Sequence, residues 1–195
     1  MKPSRRLYFT AIVPACFVAA GLAFAQLSLQ PLAQDKLDIR FISKQMSVPV
    51  EGKFRKVKAS LAFDPAKLDQ SKAQFEIEMD SVDLGVAEAE VEVKRPGWFD
   101  TAKFSTATFA SSSVKSLGGN KYEVAGKLTI KGTARDITAP FTITPKGGNN
   151  EVAGSFIIKR LDYKIGEGSW SDTDTVANEV EVKFKLLLAA APASK

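Results

Sequence analysis

Ala73-Gln74-Phe75-Glu76-Ile77-Glu78-Met79 alternates apolar and polar side chains without a slip. A period of two sends successive side chains to opposite faces of an extended chain, so this stretch buries one face and wets the other, as a β-strand does. Working outward, the same pattern recurs on both sides. Before it, Leu37, Ile39 and Phe41 share a face, then Val57, Ala59, Leu61 and Phe63. After it come Ala107, Phe109 and Ser111; Tyr122, Val124, Leu128 and Ile130; Ile137, Ala139, Phe141 and Ile143; Val152, Phe156 and Ile158; and Val180, Val182, Phe184 and Leu186. Together these segments predict eight strands. Asp64-Pro65, Gly118-Gly119-Asn120 and Gly147-Gly148-Asn149-Asn150 supply the tight or left-handed backbone that hairpins need between them. Gly126, inside the fifth strand, marks a bulge or a sharp bend of the kind found at a barrel corner.

The stretch Val86 to Lys94 alternates too, but its Ala and Glu residues favour helix, so the pattern leaves it open. Arg95-Pro96-Gly97 ends it, and Trp98-Phe99 then sets two large rings side by side, as an aromatic plug would.

The chain's 195 residues, 45% hydrophobic and 25% charged, suit a packed globular domain and exclude a disordered or collagenous chain. Lys2, Arg5 and Arg6, an uncharged run from Leu7 to Gly21, and Leu22-Ala23-Phe24-Ala25 form the three parts of a secretory signal cleaved near Ala25. Residues 26–195 are then one β domain. Losing residues 1–25 removes three basic residues and no acidic one, so the charge drops from +5 to +2. Lys and Glu are interleaved along the remaining strands, as in Glu181-Val182-Lys183-Phe184-Lys185, so no basic patch for nucleic acid is expected. Cys16, the single cysteine, falls in the leader, which excludes a disulfide framework from the mature chain.

Eight antiparallel strands can close into a barrel filled by its own side chains, or one just wide enough for a slender guest. Phe63, Phe75, Phe109, Tyr122, Phe141, Phe156 and Phe184 share the inner face, so any hollow would be apolar. The pattern alone does not separate a filled core from a lined one. An outer-membrane barrel is the other solution, but it needs outward apolar strands of about 9–11 residues with aromatic girdles at both rims, and these runs are shorter with rings at mid-strand.

Trp98-Phe99-Asp100, Ala107-Thr108-Phe109, Tyr122 to Gly132, and Arg160-Leu161-Asp162-Tyr163-Lys164-Ile165-Gly166 occur in the order and spacing of the landmarks of the YceI-like family, which the chain resembles from Leu37 to Leu188. Val50-Glu51-Gly52-Lys53-Phe54 and Asp80-Ser81-Val82 add to the likeness. The resemblance implies an eight-stranded antiparallel lipocalin-like barrel with a short helical crossing at Val86 to Lys94. It also implies a periplasmic location and an interior that binds polyisoprenoids or other long-chain amphiphiles. Two positions depart from the family: Lys164 stands where glycine is commoner, and Ser105 where proline often precedes the strand. Trp170-Ser171-Asp172-Thr173-Asp174-Thr175-Val176 is similar to the branch that occurs with membrane b-type cytochromes. This implies a quinone-like isoprenoid as guest and a membrane cytochrome as partner.

On this reading the lining consists of Phe41, Phe63, Phe75, Ile77, Trp98, Phe99, Phe109, Tyr122, Leu128, Phe141, Phe156, Tyr163 and Phe184. Arg160 and Trp170 stand at the mouth, with Arg160 either meeting an anionic head or pairing with Asp162 or another carboxylate. No cofactor or metal is expected. With no histidine, the chain lacks the usual general base, and no Ser-x-x-Lys occurs in a catalytic context, so a non-catalytic carrier is expected. Asp172-x-Asp174 lacks the further oxygen ligands of a calcium loop, and Gly166-Glu167-Gly168 lacks the third glycine of a dinucleotide turn. An accessory protein with a filled core is the alternative.

Overall fold

The computed structural model describes residues 28–189; the expected leader, residues 1–25, lies outside them. Each of the eight alternating segments forms a strand, and three further strands join them. In chain order they are β1 Gln30–Leu32, β2 Leu37–Gln45, β3 Val48–Phe54, β4 Val57–Ala62, β5 Lys72–Glu78, β6 Val82–Asp83, β7 Thr106–Gly118, β8 Lys121–Ile130, β9 Thr133–Lys146, β10 Asn149–Lys159 and β11 Glu179–Ala189. One α-helix, α1 (Ala87–Val93), settles the ambiguous stretch as helix. The expected count of eight is therefore corrected to eleven among the described residues, in a single antiparallel sheet ordered β1-β4-β5-β7-β8-β9-β10-β11-β2-β3-β6.

The missed strands have physical explanations. The β2–β3 turn uses Met46 and Ser47 at φ 48° and 67°, left-handed backbone at residues that carry no turn signal. Pro49 and Gly52 then hide the alternation of Val48, Val50 and Phe54. β1 and β6 have three and two residues, too short for any period to show.

The strand order forces the sheet to curl. β4 and β3 lie eight strand intervals apart, about 38 Å in a flat sheet. Only Arg55 and Lys56 join them, and that link reaches about 11 Å from Phe54 to Val57. The sheet therefore rolls until its ends meet there. Backbone bonds stitch the junction, from Arg55 N to Ser81 O (3.0 Å) and from Glu78 N to Lys56 O (3.1 Å), and Ser81 Oγ accepts from Lys56 N at 3.1 Å. Beyond these stitches β3 pairs with β2 and β6, and β4 with β1 and β5, so the wall is a half-closed barrel with a seam.

The registers keep one face inward all the way round. Phe75 stands opposite Phe109, Phe109 opposite Leu128, Tyr122 opposite Phe141, Gly154 opposite Phe184, Phe184 opposite Ile39, and Phe41 opposite Gly52. A slip of one residue at any ladder would turn that strand's apolar set to solvent, which is why the pattern fixes the register. Gly126 faces a β7 register shift between Ser111 and Ser113, so the bend expected at this glycine is a bulge on its partner strand. Lys164, at the family's glycine position, adopts the left-handed conformation (φ 59°), and Lys131 Nζ holds its carbonyl at 2.6 Å. The loop keeps the geometry that glycine favours, at a cost to the lysine backbone.

Candidate functional site

The inward face does not close on itself. It surrounds a cavity of about 540 Å³, within the usual span of ligand pockets, about 300–1,000 Å³. Nine of the strands contribute to its wall, all but β1 and β6. On β11 alone the lining runs from Val180 to Leu188, about 27 Å of strand. Phe41, Phe63, Phe75, Phe109, Phe156 and Phe184 are all only partly buried although they point inward, because each ring borders the hollow.

Three glycines explain how so many rings leave space. A β-carbon at Gly52 would meet the Phe41 ring, one at Gly126 the Phe109 ring at 2.6 Å, and one at Gly154 the Phe184 ring. Each phenyl group therefore lies against the wall over a glycine instead of standing in the bore, the aromatic–glycine pairing used in curved sheets. The sequence reading left filling and lining open, and these contacts favour lining.

One end of the cavity is capped by α1 and the loop around Trp98. Trp98 and Trp170 pack at 5.5 Å between ring centres, and Phe99 packs on Phe54 at 6.3 Å. Trp170 Nε1 donates to Glu92 Oε1 at 3.1 Å, tying the 168–170 turn to α1. Phe41, Phe63, Phe75, Ile77, Trp98, Phe99, Phe109, Leu128, Phe141, Phe156 and Phe184 all border the cavity, as do Arg160 and Trp170.

Two expected lining residues sit elsewhere. Tyr122 is stacked on Phe141 (5.4 Å) and meets Phe63 edge-on (5.4 Å), so it packs behind the lining. Tyr163 is 2% exposed among Met79, Leu128 and Ile158. Its hydroxyl has no partner among the described residues, and burial first of all, with Asp162 adding and Arg135 opposing, pushes its pKa up to about 12.

Arg160 needs a larger correction. It is 2% exposed and forms no ion pair with Asp162. Its fork is filled by backbone: Nε donates to Ala177 O (3.1 Å), Nη1 to Ile165 O (2.9 Å) and Gly166 O (2.8 Å), and Nη2 to Trp170 O and Val176 O (both 2.7 Å). With a longer contact from Nη2 to Asp172 O (3.5 Å), five N–H groups meet six carbonyls, which leaves none for a ligand head. Burial lowers its pKa, and Asp172 opposes the shift. Lys131 acts similarly one loop away, with Nζ on Pro96 O (2.7 Å), Lys164 O and Glu167 Oε2 (3.1 Å). These two cations fasten the capped end. Asp172 is used locally, its carboxylate accepting from Asp174 N (3.1 Å) and Thr175 Oγ1 (2.6 Å).

The polar wall was missed. Ser43 and Gln45 on β2 and Glu88 and Glu92 on α1 border the cavity at the capped end. The β2 signal was available, because Leu37, Ile39 and Phe41 continue in phase to Ser43 and Gln45, an apolar face turning polar as it leaves the bore. The helix contribution was not, since it depends on how α1 crosses the end of the barrel.

A sheet rolled around an apolar hollow, with a helix over one end, defines an all-β, antiparallel half-barrel, and its relatives are found in one family. The YceI-like domain matches residues 31–188, and the chain belongs to that family. A UPF0312 protein of Vibrio cholerae is 32% identical over 134 residues, 64% of this chain and 71% of the relative. The crystal structure of BcnA from Burkholderia cenocepacia is similar at 43% identity and a TM-score of 0.78, over 81% of this chain and 99% of that one. A Saccharophagus degradans domain described as polyisoprenoid binding shares the fold at 19% identity and a TM-score of 0.66, over 85% of this chain and 99% of its own.

Proposed function

We propose that this protein binds a polyisoprenoid or other long-chain amphiphile in the bore and holds or ferries it across the periplasm without chemical change. One observation carries the reading: an apolar cavity of about 540 Å³ kept open by phenyl rings laid over Gly52, Gly126 and Gly154. Hydrocarbon leaving water for such a wall gains about 0.8 kcal/mol per methylene, so a long tail binds without a reactive group. The description of the Saccharophagus degradans domain supports this ligand class. The periplasmic location rests on the pattern of residues 1–25. A membrane b-type cytochrome as source or recipient of a quinone-like lipid rests on residues 170–176 alone.

Native mass spectrometry of protein purified from its own host without detergent, followed by solvent extraction, tests the proposal. A co-purifying species whose extract carries a long prenyl or acyl chain is expected. Protein that is always empty, and stays empty after incubation with prenyl lipids, would overturn it.

A further inference from the structure

With the Arg160 fork occupied, head-group recognition falls to other residues, and the charge inventory of the wall says which. Among the described residues, the cations bordering the cavity are Arg40, Lys72 and Arg160. Arg40 turns outward to Asp38 and Glu51, both at 3.0 Å. Lys72 is exposed at the far end of the bore, in the β5 register shared by Gln74 and Glu76, opposite that of Phe75. Near α1, Arg95 is taken by Glu92 at 2.9 Å and Lys94 by Asp80 at 3.4 Å. Lys44 follows the outward register of Arg40. Gln45 and Glu88 remain. Both are exposed, and neither side chain has a hydrogen-bond or ion-pair partner among the described residues. Glu92 stands one helical turn beyond Glu88.

We propose that this end of the bore selects an uncharged, hydroxyl-bearing head, such as a prenyl alcohol, over its phosphate ester. The Glu88 carboxylate accepts from the hydroxyl and the Gln45 amide completes the pair, while a phosphate would meet the unpaired Glu88, with no free cation among the described residues of this end to offset it. The inference rests on the lipid-binding reading and names its substrate class.

The two tryptophans at this end, Trp98 and Trp170, provide the readout. The purified protein is titrated at low salt with a polyprenol and with the polyprenyl monophosphate of equal chain length, following tryptophan emission. The alcohol should bind about tenfold tighter or more, the factor set by roughly 1.4 kcal/mol of like-charge repulsion. Added salt should narrow the gap, which a difference in shape alone would not do. Glu88→Lys, at an exposed site, should weaken the alcohol and strengthen the phosphate, reversing the order. Equal or tighter phosphate binding by the unaltered protein, or phosphate binding lost in Lys72→Ala, would overturn the head-group inference and leave the lipid reading standing. Binding of neither ligand would end both.

Discussion

Arg160 offers a sharp test, because a head-group residue and a structural knot fail differently. Arg160→Met removes the five close carbonyl contacts along with the longer one to Asp172 O, while Arg160→Lys keeps at most three donors and loses the planar fork. An acceptor left buried and unpaired costs about 1–3 kcal/mol, less whatever water recovers. The lysine variant strands at least two carbonyls, a loss of roughly 2–5 kcal/mol. The methionine variant strands five but also spares the desolvation of a buried guanidinium, and about 3–5 kcal/mol is the expected net. Against a total stability of about 5–15 kcal/mol, either change is large, and 4 kcal/mol lowers Tm by roughly 8–16 °C in a chain of this size. Urea unfolding followed by tryptophan emission measures it directly, because Trp98 packs over the guanidinium at 6.0 Å. A variant that keeps its stability within about 1 kcal/mol but loses lipid affinity would refute the knot and restore Arg160 as a ligand contact.

Three other substitutions probe separate parts of the account. Gly52→Ala places a carbon against the Phe41 ring and Leu84, both movable side chains, so the ring should swing into the bore and weaken long-chain binding; restored binding in the double variant with Phe41→Leu would confirm the cause, and unchanged affinity in Gly52→Ala would exclude it. Tyr163 has a folded pKa of about 12 against the ordinary 10.0, so its contribution is complete below pH 10 and is lost as pH rises through 12, on the order of 2–3 kcal/mol. Tyr163→Phe should flatten that alkaline loss in pH-dependent urea melts and cost little at pH 7, where a large cost would mean that the hydroxyl is bonded. Lys164→Gly relieves left-handed backbone at a non-glycine residue and should add roughly 0.5–1 kcal/mol, read as a raised Tm; a lowered Tm would show that the lysine side chain, not the backbone, matters there.

The wall of the barrel was legible because its signal is local. Phe75, Ile77 and their counterparts repeat every second residue, and the double glycine at 147–148 marks its hairpin plainly. β3 was not recognised as a strand, since Met46 and Ser47 make a left-handed turn without glycine or asparagine and Gly52 interrupts the alternation. That same Gly52 proved informative in three dimensions: its missing side chain is where Phe41 lies, a cross-strand relation that no window along the chain reveals. Arg160 was misassigned for a similar reason. Its partners are backbone carbonyls spread from Ile165 to Ala177, and carbonyls leave no trace in a sequence, whereas the neighbouring Asp162 does. Tyr122 and Phe141 share the inward phase, yet only one borders the hollow, because which of two stacked rings lies in front is set by packing.

The central claim is that the bore is hollow and apolar, and xenon reads this most directly, because the gas settles in dry apolar cavities and scatters anomalously. A crystal of delipidated protein pressurised with xenon should show anomalous peaks inside the barrel between Phe75, Phe109 and Val182, with the phenyl rings still laid over Gly52, Gly126 and Gly154. An interior without xenon, in which those rings have turned inward to touch one another across the axis, would contradict the account.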